Sequence, residues 1–61
     1  MLQVEIEVVL RRIDKWISEE KKVLAQHRAE GKDSGVKLSK SIISDLRKMK
    51  TRLKSRGQSD N

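Results

Sequence analysis

The sequence predicts an all-α protein: an antiparallel helical hairpin, about 3–30 and 37–56, forming a homodimeric four-helix bundle. Three observations predict it. Apolar residues recur at steps of three and four in both halves of the chain. A turn cluster, Gly-Lys-Asp-Ser-Gly at 31–35, lies between the halves. The chain has 61 residues, no Cys and a single His, so neither a disulfide nor a His/Cys metal site can staple so small a core. Chains below roughly 70–80 residues usually need such a staple or a second copy.

In the first half, Ile6, Val9, Leu10, Ile13, Trp16, Ile17, Val23 and Leu24 form one stripe on a helix of 3.6 residues per turn. Trp16 stands in that stripe beside Ile13 and Ile17, which reads as a core position rather than a base-stacking one. Glu20 and His27 interrupt the stripe one heptad apart. A polar residue there often sets register or partner choice. Here the pair reads as the half-exposed edge of the stripe, with Lys48 or Lys50 as candidate partners for Glu20. No Gly or Pro falls between 11 and 30, so the helix is uninterrupted.

The N-terminal stretch fits two periods. Leu2, Val4, Ile6 and Val8 alternate with polar residues as in a strand, while Leu2, Ile6, Val9 and Ile13 continue the helical stripe. A helix is the main reading. The alternative is a strand at 2–9, giving a ribbon-helix-helix-like dimer. Gly31 suits a left-handed helix end, and Ser34 or Ser39 is a candidate cap for the second helix. That helix carries the stripe Ile42, Leu46, Met49 and Leu53. Residues 1–56 form the single domain, and 57–61 a flexible polar tail.

Folding these helices together about residue 34 leaves residues 2–11 without an internal partner, an apolar overhang that soluble monomers avoid. A second copy would cover it. The expected dimer interface is Leu2, Ile6, Val9, Leu10, Ile13 and Trp16.

Charge is placed unevenly. Charged residues make up 39% and the net charge is +6. Residues 1–30 balance six Lys/Arg against six Asp/Glu, whereas 31–61 carry nine against three. Such a block expects a polyanionic partner. Lys40, Arg47 and Lys54 recur every seven residues along one flank of the second helix, with Lys48 and Arg52 on the other. At 1.5 Å per residue the row is spaced by about 10 Å, which suits contacts to phosphates rather than to bases. Arg11, Arg12 and Lys15 form a smaller cluster on the first helix, a secondary part of the expected nucleic-acid-binding face. Ser39, Ser41, Ser44, Thr51 and Ser55 are interleaved hydroxyls.

No catalytic residue is expected: nucleophile, triad and metal-ligand sets are all missing, as is the Gly-Lys-Ser pattern of a phosphate loop. The expectation is a non-enzymatic basic dimer, without cofactor or metal, that binds double-stranded nucleic acid, with RNA ahead of DNA. The alternative is a small regulatory module of phage, viral or plasmid type that docks on a host protein through its apolar N-terminal segment. At the level of architecture alone, such a dimer resembles the small plasmid RNA-binding hairpin dimers of the Rop type and the helical dimer with which nodaviruses bind double-stranded RNA; no residue is carried across. No apolar run approaches ~18 residues, and the first ten residues hold Glu5 and Glu7 without a basic leader. A cytoplasmic or nuclear location and no membrane partner are therefore expected.

Overall fold

The computed structural model describes residues 2–59, with side chains from Leu2 to Arg56. It is all-helical: α1, Gln3–Ala29, and α2, Asp33–Ser59, pack as an antiparallel hairpin. Each helix has 27 residues, about 40 Å of rise. Of the N-terminal residues whose alternation fits either period, Val4, Ile6 and Val8 belong to α1 in the single chain, and Leu2 is its extended N-cap. No helix among the described residues is long and apolar enough to cross a membrane.

The turn is short because its hydrogen bonds close on the end of α1. The Gly31 N–H donates to the Arg28 carbonyl at 3.2 Å and the Lys32 N–H to the His27 carbonyl at 2.9 Å. These are the paired bonds of a Schellman ending, with Gly31 as its left-handed residue at φ 69°. An L side chain at that φ is strained by roughly 1 kcal/mol. The chain then re-enters a helix at once: the Val36 N–H already donates to the Lys32 carbonyl at 3.0 Å.

The second helix therefore differs from the expectation. It begins at Asp33 rather than near 37, and runs through Gly57 to Ser59, where a tail was expected. Asp60 and Asn61 lie outside the described residues. Gly35 reads as a turn residue in sequence, yet it is helical. Its missing side chain serves packing: a Cβ there would stand 2.7 Å from Cγ and Nδ1 of His27. Ser34 sits within the first turn of α2, and Ser39 deeper in the helix.

Three contacts across the hairpin, Gly35 with His27, Ser39 with Glu20 and Lys50 with Asp14, fix its register by mirroring residues about a point near Gly31. With that centre and with α2 reaching Ser59, the two helices match in length. The expected overhang at 2–11 is absent, and Ile6 is 1% exposed in the single hairpin. The core is one layer thick. Ile13, Ile17 and Ile43 are its buried members, with Val9, Leu24, Leu46 and Leu53 packed against them.

Trp16 and Met49, which their spacing assigns to the core, are instead 49% and 44% exposed. Each lies on the flank of its helix's stripe. The stripe is wider than one neighbouring helix can cover.

The His27–Gly35 contact gives a clear expectation. Ala is favoured over Gly in a helix by about 1 kcal/mol, but Gly35→Ala should lower stability because the ring cannot yield at its Cγ. In a His27→Ala background the same change should raise stability by up to about 1 kcal/mol. Urea denaturation of the four proteins measures this sign reversal.

Candidate nucleic-acid interface

One face of the hairpin holds an open groove of about 680 Å³ between the helices. Its floor is apolar, from Leu24 of α1 and Ile43 of α2. Its walls are Lys21 from α1 and Lys40, Arg47, Lys48 and Arg52 from α2, with Ser44 and Thr51 between them. Five cations surround the groove, and its lining contains no carboxylate. Like charges so arranged repel one another, and a bound polyanion would relieve that repulsion.

The helical period explains the gathering. Lys40 and Arg47 lie one heptad apart, on the side of α2 that borders the groove, and Lys21 occupies the matching flank of α1. Four of the cations singled out in sequence thus share one groove. Lys54 continues the Lys40–Arg47 row beyond the lining. Arg11 and Lys15 point away from α2 on the outer surface of α1, and Arg12 borders the opposite face of the hairpin; all three are exposed.

Lys21 was missed in sequence because α1 is neutral overall and its cations look like ordinary surface charge. It joins the groove only through the hairpin register, which places its flank opposite Lys40.

Two polar contacts tie the helices together beside the groove. Lys50 Nζ donates to Asp14 Oδ1 at 2.6 Å. The Asp14 side chain is 54% exposed, so solvent limits this ion pair to about 1 kcal/mol or less. The Ser39 hydroxyl donates to Glu20 Oε1 at 2.8 Å, and Ser39 is only 1% exposed. Glu20 therefore meets Ser39, not Lys48 or Lys50. The contact orients a half-buried carboxylate and holds the chain between Leu38 and Lys40 against α1. Thr51 Oγ1 donates to the Arg47 carbonyl at 3.1 Å. His27 Nδ1 is buried without a hydrogen-bond partner.

The six residues expected at a dimer interface divide. Ile6 and Ile13 are buried within the single hairpin, at 1% and 0% exposure. Val9 and Leu10 are half-buried, while Leu2 and Trp16 remain exposed. Among the described residues no three His, Cys, Asp or Glu side chains gather where they could hold a metal ion.

Comparison with protein-family models, curated proteins and solved structures gives no match to the chain.

Ser39→Ala should cost about 1–3 kcal/mol, because it removes a donor from a part-buried carboxylate. Adding Glu20→Gln should recover part of that loss by removing the charge. Denaturation midpoints of the single and double variants measure both effects; equal midpoints for wild type and Ser39→Ala would show that the bond contributes nothing.

Proposed function

We propose that this chain is a non-enzymatic, dimeric, basic helical protein that binds double-stranded nucleic acid through phosphate and shape contacts. The observation that carries the reading is the groove of Lys21, Lys40, Arg47, Lys48 and Arg52, whose lining holds no acid. A duplex carries one negative charge per ~1.7 Å of axis, and cations that displace its counterions gain affinity by their release. The cations stand on helices locked by the hairpin, so little backbone ordering opposes binding.

RNA stands ahead of DNA. A straight rod of two helices, with cations repeating every ~10 Å along one of them, offers regular backbone contacts. A-form duplexes are recognised largely through shape and backbone. The dimeric four-helix bundle belongs to the same proposal, with the cytoplasm or nucleus as the setting.

A second reading is a regulatory module that docks on another protein through its N-terminal segment. Leu2 and Val4, each 70% exposed at the start of α1, favour it. On that reading the affinity for duplexes would be weak and the N-terminal apolar residues would govern function.

A mobility-shift titration with duplex RNA and duplex DNA at two salt concentrations separates the readings. Lys40→Glu combined with Arg47→Glu should weaken duplex binding by more than about tenfold and flatten the logarithmic salt dependence by about two. Unchanged binding in the double variant, or no shift by the wild type at low salt, would remove the nucleic-acid reading.

A further inference from the structure

The face of the hairpin opposite the groove is apolar. On α1, Val9, Trp16 and Val23 fall seven residues apart, roughly 60–100° to one side of the buried row. On α2, Leu38, Ile42 and Met49 are displaced in the same rotational sense. Two antiparallel helices turned toward each other carry flanks of the same sense on the same face. Trp16, Val23, Leu38 and Met49 are 49%, 40%, 62% and 44% exposed, so one side of the layer holds a continuous uncovered apolar surface. The apolar residues span about 20 Å at the middle of this face; the whole hairpin face measures roughly 40 by 20 Å, on the order of 800 Å², which matches what each partner contributes to a stable interface.

The pattern on this face is symmetric about its own middle. On α1, Val9 and Val23 are equidistant from Trp16. On α2, Ile42 and Met49, and outside them Leu38 and Leu53, are equidistant from a point between Asp45 and Leu46. The hairpin register brings those two centres to the same level, because reflection about the turn carries Trp16 onto Leu46. Along the rim of α1, Arg12 and Glu19 lie on either side of the centre with opposite charges. A two-fold axis through that level, perpendicular to the helices, sets Val9 against Val23 of a second copy, Ile42 against Met49 and Arg12 against Glu19. With the two centres at one level, a second copy related by that axis buries each apolar position against its counterpart.

We infer that a second copy of the chain docks on this face with its turn at the opposite end and Trp16 at the axis, and that the dimer, its two basic grooves facing outward in opposite directions, bridges two nucleic-acid duplexes. The bridging rests on the proposed nucleic-acid reading; the docking does not. The hairpin is a single layer, so covering one face leaves the groove on the other. A straight duplex on one groove cannot reach the groove behind it.

The test has two arms, both on the full chain. In sedimentation, the wild type should be dimeric at micromolar concentration. Arg12→Glu and Glu19→Arg should each weaken the dimer about tenfold through like-charge contacts. An equimolar mixture of the two should return to within about threefold of wild type, because the mixed dimer restores both oppositely charged contacts. A wild-type monomer would overturn the docking, and variants that weaken the dimer without rescue would overturn the register. In the second arm, a bead-bound duplex is incubated with the protein and a free labelled duplex. Wild type should capture the label. Trp16→Glu, a change at a half-exposed position outside the core, should still shift single duplexes yet capture none. Arg12→Glu below its dimer concentration repeats the comparison without touching the indole. Dimers that shift duplexes but capture no label would overturn bridging. Dimers that shift no duplex would remove the nucleic-acid reading and bridging with it, while the sedimentation result would stand.

Discussion

The register of the hairpin is the constraint on which the other features depend. It is set at the closed end, where Gly31 turns the chain in three residues and His27 lies against the bare backbone of Gly35. A longer turn or a side chain at Gly35 would slide or spread the helices. Ile43 would leave the space beside Ile13 and Ile17, and Ser39 would lose Glu20. Lys21 would also lose its place across from Lys40 and Arg47. The closed end thus aligns the apolar layer, the part-buried hydrogen bond and the positively charged groove together.

The two faces follow from the same register. A helix with an apolar stripe wider than a single neighbour can cover always has a flank to spare. Here α1 and α2 turn their spare flanks to the same side. The charge goes to the other side, where α2 contributes Lys40, Arg47, Lys48 and Arg52 and α1 adds Lys21. Separating the two surfaces would leave the groove hydrated when a partner covers the apolar side. It also keeps the groove cations away from the apolar face, where burying them would cost several kcal/mol each.

Much of this fold was legible in the sequence. The uninterrupted run from 11 to 30 and the step pattern of Ile6, Ile13 and Ile17 read directly as one amphipathic helix. Gly31 read as a helix end because its chemistry is local. The start of α2 did not, because Gly35 beside Ser34 and Asp33 looks like a turn, and only the position of the His27 ring on another helix explains a glycine there. Trp16 and Met49 were legible as apolar positions but not as exposed ones. Periodicity gives the direction of the stripe and not the width that a neighbour covers. Of the groove, Lys40, Arg47, Lys48 and Arg52 were readable because they crowd one helix, whereas Lys21 required the register between two.

The thinness of the layer bears on how such a chain stays folded. Only four apolar side chains are buried in the described hairpin, Ile6, Ile13, Ile17 and Ile43, and burying each is worth about 1.5–3 kcal/mol. Ordering the backbone costs about 1–2 kcal/mol per residue, and helix hydrogen bonds offset only part of that. A second layer would bury Trp16, Val23, Leu38 and Met49 without ordering any further residues, since the helices that carry them are already formed. Covering that face would add to the stability of hairpins already folded, and stability would then rise with chain concentration. On the proposed dimer, the absence of a disulfide and the small core would be offset on one side of the hairpin, away from the charge.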